Sequence, residues 1–318
     1  MSKATAKFWK LGIIGWPLGY SLSPKIHAAA LKAAGLQGEY EQCPIKSNSL
    51  GESVHELAQL DDLRQGIEAW QAKSKLLDGF NVTMPFKSKV YGWIRATGGE
   101  IKATSGFVAH AMHVINTVKM KNGKPIGYNT DGIGFLAPLR EIDLKGASAV
   151  VLGAGGAARS VGISLGLSAQ VKKIFFWNRS SENAHSTVNA LHSAFQSNSC
   201  SVNCNVASEI RQVLEALSIE ECKILVNATP MGQQGENDVP AELLERLRPD
   251  QLVYDIVYEP RETKLVREAR KKDCHVITGD EMLAAQGAAA FEIWTGVPAA
   301  KILPAMKKAL EEHFTAHA

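Results

Sequence analysis

Residues 147–166, ASAVVLGAGGAARSVGISLG, constrain the fold of this chain more than any other stretch. An apolar run fit for a buried strand meets a glycine turn and continues as a helix. Gly153 makes the tight turn, Gly155 lets the backbone approach a pyrophosphate, and Gly156 with Ala157 allows close helix packing. Phosphates placed there meet the free N–H groups and the positive end of a helix. A glycine turn can also be a bare connection; its position between strand and helix favours the dinucleotide reading.

The same rhythm continues downstream. VKKIFFWNRS (171–180), CKILVNATP (222–230) and LVYDIVYEP (252–260) each read as an apolar strand ending in a polar or proline-containing loop. Strand alternating with helix predicts a doubly wound, Rossmann-type α/β domain. The strand after the glycine turn ends without the acidic residue that binds a ribose 2′-hydroxyl. Asn178 and Arg179 stand there instead, and an arginine suits a 2′-phosphate. NADP is therefore the expected cofactor. Glu182, four residues beyond Asn178, keeps NAD open.

Upstream, a strand over 11–15 leads into SPKIHAAALKAAG, with Ser23 read as the helix cap, Pro24 in its first turn and Gly35 at its stop. A strand near 39–45, an irregular stretch over 46–60 and a helix over 61–75 follow, and another strand ends at Phe80-Asn81. The chain is thus α/β throughout. We expect an N-terminal substrate domain over 1–131, a dinucleotide domain over 132–280, and C-terminal helices over 281–318 that at least partly pack back on the first domain. The substrate cleft would lie between the domains. Residues 193–205, rich in Ser, Asn and Cys, read as a loop.

The formal charge, 35 basic against 32 acidic residues, is +3, with no dense basic stripe that would suit nucleic acid. No stretch reaches the roughly 18 apolar residues that a membrane span needs. Five cysteines, an odd number, do not form the dense, even set of a secreted disulfide framework, and the nine histidines show no metal-binding motif. A reduced, cytoplasmic protein without a structural metal is the expectation, either monomer or homodimer.

Three polar clusters fall at loop positions: Asn81, Thr83 and Lys87 around Pro85; Asn116 and Thr117; and Asn129, Thr130 and Asp131. Hydride delivery to a carbonyl creates an alkoxide that needs a proton, and the reverse reaction needs a base. A positioned lysine can serve both, and an aspartate can orient it and share its proton. Taken singly, Asp131 reads equally well as a helix cap and Asn116 as a turn residue.

Together these motifs resemble the shikimate/quinate dehydrogenase family. The resemblance runs through GYSLSPKIHAAAL (19–31), GFNVTMPFK (79–87), INTV (115–118), GYNTDGIG (127–134), GAGGAAR (153–159) and NRS (178–180). It continues through NATPMG (227–232), DIVYEP (255–260) and GDEMLAAQGAAAFEIWTG (279–296). It implies reversible reduction of 3-dehydroshikimate to shikimate with NADPH. Lys87 and Asp131 match the catalytic pair, and Ser21 and Ser23 match the hydroxyls that hold a carboxylate. Thr83, Asn116 and Gln286 match the ring-hydroxyl ligands, with Asn81 beside them and Tyr258 as a further contact. On the cofactor side the resemblance assigns Gly153, Ala154, Gly155, Gly156, Ala157, Asn178, Arg179 and Ser180. Thr229, Met231, Gly279 and Met282 complete that set.

Four residues depart from the family pattern. His113 and Val114 stand where a small pair is usual, Tyr20 replaces a common histidine, and Asn183 replaces a second basic residue after Arg179. With the divergent segment over 88–112, these leave quinate as substrate and dual NAD/NADP use open, as a specialised branch of the family. A non-catalytic NADP-binding regulator on the same fold is a separate reading, opposed by the intact Lys87 and Asp131.

Overall fold

Strand β1 (Phe8–Gly15) lies between two parallel neighbours, so its second half, from Leu11 onward, is buried on both faces. Its neighbours are β2 (Gln37–Pro44), an edge strand carrying Glu39 and Glu41, and β3 (Gly79–Val82). Charges on an edge strand oppose edge-to-edge association. The computed structural model describes residues 7–46, 63–69, 77–104, 113–233 and 237–317. Antiparallel β5 (Thr117–Lys121) and β6 (Lys124–Tyr128), with the short β4 (Glu100–Ile101) beyond, complete a mixed sheet of order β2-β1-β3-β5-β6-β4.

Helix α1 (Ser23–Ala34) differs from the expected cap. Leu22 holds the N-cap position and Ser23 is already helical, without a side-chain cap bond. At the other end Gly35 takes the left-handed conformation (φ 66°), and Leu36 N–H closes onto Leu31 C=O at 3.0 Å. Residues 63–69 are helical (α2); the rest of the irregular stretch and of the expected 61–75 helix lies largely outside the described residues. Helix α3 (Lys87–Ala96) opens the divergent 88–112 segment, of which 105–112 lies outside them too.

The chain divides into two compact units, residues 1–130 with 284–318 and residues 131–283. Asp131, placed last in the first domain by the sequence, opens the second unit as the first residue of α4 (Asp131–Leu136). The second unit is a six-stranded, wholly parallel sheet. It is built from β7 (Ser148–Leu152), β8 (Lys173–Trp177), β9 (Asn203–Ala207), β10 (Cys222–Asn227), β11 (Leu252–Asp255) and β12 (His275–Thr278). Its order, β9-β8-β7-β10-β11-β12, reverses direction at β7, the dinucleotide-binding switch point of Rossmann sheets.

Around it run α5 (Gly156–Ile163), α6 (Ser181–Ser197), α7 (Ile210–Ser218), α8 (Ala241–Glu245) and α9 (Lys264–Lys271). The loop expected over 193–205 is mostly regular structure: α6 runs to Ser197 and β9 begins at Asn203. Val188, Leu191, Ala194 and Phe195 recur at helical spacing and are buried, which overrides the polar composition of the surface positions.

Helix α10 (Gly279–Thr295) crosses the boundary between units, and α11 (Ala299–Ala316) packs against α1 in the first. Trp294 anchors α10 on the first sheet. Its indole N–H donates to Val118 C=O at 2.9 Å, and its ring occupies the space that a Cβ at Gly79 would need, 2.4 Å away. No described helix is long and apolar enough to cross a membrane.

Candidate active site

In the first unit the polar candidates gather where β1 and β3 end and β5 begins. Gly15 closes β1, and a Cβ there would stand 2.2 Å from the Thr83 methyl. That close approach, with Trp16 N–H donating to Met84 C=O and Thr83 N–H to Ile14 C=O, ties the Thr83–Pro85 turn to the tip of β1. The turn ends in α3, whose first residue is Lys87; the Lys87 carbonyl in turn accepts from Ile115 N–H at 2.9 Å. Lysine is thereby set on a segment whose backbone is bonded to both adjacent loops. Ser21 and Ser23 meet at the start of α1, where Ser23 N–H donates to Ser21 Oγ at 3.4 Å and Ser23 is buried.

Asn81, Asn116, Thr117 and Thr130 form one buried hydrogen-bonded cluster. Asn116 Oδ1 accepts from Thr130 N–H at 2.8 Å and from Thr117 Oγ1 at 3.0 Å. Its amide nitrogen donates to Thr130 Oγ1 at 3.0 Å and to Gln286 Oε1 at 3.5 Å. Asn81 donates to Thr117 Oγ1 and to the Asn116 carbonyl, and accepts from the Tyr40 hydroxyl at 2.8 Å. Three predicted residues, Asn81, Asn116 and Gln286, therefore share one network although they are distant in sequence. Thr117 and Thr130, which the sequence grouped in polar clusters without assigning them a ligand, and Tyr40, a position open for quinate discrimination, are further members. The NT dipeptides at 116–117 and 129–130 were the available signal, but their pairing depends on β5 and β6 lying side by side.

His27, absent from the sequence prediction, is fully buried and stacks on Tyr40 with ring centroids 4.4 Å apart. Burial pushes its pKa down to about 3, against a smaller opposing pull from the Asn81 amide. The imidazole is thus a neutral packing group at physiological pH. His113 is exposed with φ 50° and rests on Tyr91, 4.6 Å between centroids, while Val114 is buried.

In the second unit, Gly153 follows β7 with φ 109°, and a Cβ there would meet the Ala228 carbonyl at 2.7 Å. Gly155 is the N-cap of α5 and has extended backbone, with no atom within 4 Å of a Cβ built on it. The turn thus has one glycine demanded by the protein's own backbone and one bordering open space over a helix N-terminus, a cradle suited to a pyrophosphate. Thr187 Oγ1 donates to Ala154 C=O at 2.8 Å, fixing the turn from α6.

At the tip of β8, Asn178 donates to Ser180 C=O, Ser180 caps α6 by accepting from Asn183 N–H, and Arg179 is exposed. Asn183 therefore sits in the first turn of α6, where it supplies a backbone donor but no charge. After β10, Asn227 organises the next loop. It donates to Met231 C=O and accepts from Thr229 Oγ1 at 2.6 Å. Asp255 accepts from Asn227, Thr263 Oγ1 and Val257 N–H, yet its burial raises its pKa to about 6. Gly279 opens α10 where a Cβ would stand 2.3 Å from Ile256 C=O, and Met282 follows, buried; Tyr258 is half-buried. Asp131 is buried at the start of α4, where a carboxylate complements the helix dipole.

Residues 13–104 match the shikimate dehydrogenase substrate binding domain, and residues 279–311 match the shikimate 5′-dehydrogenase C-terminal domain. The shikimate dehydrogenase (NADP(+)) of Archaeoglobus fulgidus is 35% identical over 295 residues, 90% of this chain and 93% of the relative. The chain belongs to the shikimate dehydrogenase family. A crystal structure of a shikimate dehydrogenase in complex with NADP+ superposes with TM-score 0.75 at 34% identity, covering 99% of this chain and 98% of that one. The chain is also similar to the structure of the quinate dehydrogenase from Corynebacterium glutamicum in complex with NAD. It has TM-score 0.72 and 26% identity, covering 94% of this chain and 99% of that one.

Proposed function

We propose that this shikimate dehydrogenase family member catalyses the reversible NADP(H)-dependent reduction of 3-dehydroshikimate to shikimate. The observation that carries it is the joint presence, over nearly the whole length of the Archaeoglobus relative, of a Rossmann turn and a polar cluster next to an ordered lysine. Bound NADPH would supply the hydride, and NADP+ would take it up in the oxidative direction. Lys87 gives its proton to the oxygen of the reduced carbon and takes it back in the oxidative direction, with Asp131 as its partner. Asn116, Gln286 and Thr83 hold the ring hydroxyls, with Asn81 and Tyr258 as further contacts. Ser21 and Ser23 hold the carboxylate at the start of α1, where a helix N-terminus favours an anion. The turn from Gly153 to Ala157 holds the pyrophosphate and Arg179 the 2′-phosphate.

A second reading, quinate oxidation or use of NAD, is favoured by Asn183: the first turn of α6 lacks a second cation beside Arg179. Quinate differs by one added hydroxyl on a saturated ring, and a pocket rejects an added group less sharply than a missing partner. Steady-state rates of the purified protein with shikimate and quinate, each with NADP and NAD, separate the two. Shikimate with NADP should lead by orders of magnitude. Equal or faster turnover of quinate, or with NAD, would replace the primary reading by the second, and silence in all four assays would refute both.

A further inference from the structure

The buried cluster has a direction, and two backbone groups set it. The Asn116 carbonyl can only accept, so the Asn81 atom facing it at 3.3 Å is the amide nitrogen, and Asn81 Oδ1 faces Tyr40. The Thr130 N–H can only donate, so the Asn116 atom facing it at 2.8 Å is the oxygen, and its nitrogen faces Gln286. The bonds that run from Tyr40 to Gln286 through the amides then have a fixed sense, while the Thr117–Thr130 hydroxyl pair can run either way. Tyr40 O–H donates to Asn81 Oδ1, Asn81 donates to Thr117 Oγ1, Thr117 donates to Asn116 Oδ1, and Asn116 donates to Gln286 Oε1. Gln286 meets the network with its oxygen, which sets the opposite edge of its amide as N–H donor, the complement of a hydroxyl oxygen on a ligand.

Tyr40 begins this chain from the edge strand β2. Its hydroxyl passes over β1 to Asn81 on β3, and its ring lies flat on His27 at 8° between planes. It is half-buried and belongs to none of the motifs on which the family resemblance rests. We infer that Tyr40 is a positioning residue for substrate specificity, whose single O–H holds the Asn81 amide in the orientation that the Asn116 carbonyl selects and, through the Asn81–Thr117 bond, braces Asn116 against Gln286. The inference rests on the function proposed above, since Asn116 and Gln286 matter as ring-hydroxyl ligands there. Without the donor, Asn81 Oδ1 is left buried without its strongest partner, and the amide can turn to seek another.

The test is Tyr40→Phe, which keeps the ring on His27 and removes only the hydroxyl. Loss of one hydrogen bond in a buried network should lower kcat/KM for shikimate about five- to tenfold and the melting temperature by only a few degrees, while KM for NADP stays close to wild type. The decisive readout is coupling. In a Gln286→Ala background the same Tyr40→Phe change should cost less than twofold, because the ligand at the far end of the braced network is gone. Unchanged kcat/KM in the single variant, fully multiplicative effects in the double variant, or a parallel rise in KM for NADP would each overturn the role. If the wild-type protein itself fails to oxidise shikimate, the proposed function falls and this inference with it. An active wild type confines any failure to Tyr40.

Discussion

Lys87 and Arg179 are each proposed to act through one atom group, so their variants should separate chemistry from binding. Lys87→Ala should lower turnover at least about a hundredfold, as expected for loss of a general acid–base, with fold and NADP affinity retained. Turnover near wild type would remove Lys87 from the proton transfer. Arg179→Ala should raise KM for NADPH far more than KM for NADH, because the exposed guanidinium is proposed to meet only the 2′-phosphate. Equal rises would assign the arginine a general rather than a discriminating role.

His27 makes a prediction in pH. Its folded pKa of about 3 lies below the unfolded value of 6.5, so below that value the unfolded chain takes a proton that the folded chain refuses. Stability should fall with pH, by roughly 1.4 kcal/mol per unit at most, from about 6.5 toward 3. Asp255 has the opposite sign: raised to about 6 in the fold, it favours the folded state as pH drops toward 3.8. Urea midpoints at pH 7 and 4.5 should therefore drop less for His27→Phe than for wild type; equal drops would show that His27 is not the acid-sensitive group.

At the scale of elements, the β7–α5 turn offers two glycines with different reasons to be glycine. Gly153→Ala places a methyl 2.7 Å from a backbone carbonyl at φ 109°, so it should destabilise the protein by about 1–3 kcal/mol as well as weaken cofactor binding. Gly155→Ala meets no protein atom within 4 Å. It should leave the melting temperature nearly unchanged and still raise KM for NADP at least about tenfold, since only a pyrophosphate would meet the methyl. Loss of stability without loss of affinity in Gly155→Ala would contradict a phosphate cradle there. The turn was legible because strand, glycine pattern and helix are all local signals. The end of α6 was not: its Ser- and Asn-rich residues read as a loop, and only the burial of Ala194 and Phe195 keeps them helical.

Across the whole molecule, a ligand that binds only the folded state raises stability by mass action, by about 2.7 kcal/mol at a hundredfold excess over Kd. NADP at millimolar concentration should raise the melting temperature more than NAD at the same concentration, as followed by calorimetry. Equal shifts would support dual cofactor use. The first unit is discontinuous, closed by residues 284–318, and its anchor is a contact between Trp294 and Val118. Sequence pattern placed helices at the C-terminus, but the Gly79 recess that receives Trp294 exists only once β3 and β5 are paired.

The sequence by itself determined the α/β class, the dinucleotide turn, the absence of an acid at the tip of β8 and the catalytic candidates, because each is a short-range pattern of residue types. Tertiary structure alone decided that Asn81, Asn116, Thr130 and Gln286 share one network, and that Tyr40 and His27 stand behind it. It also decided which glycine meets backbone and which meets open space. Those relations span up to 170 residues, and a hydrogen bond's direction depends on which backbone groups the fold brings to face it.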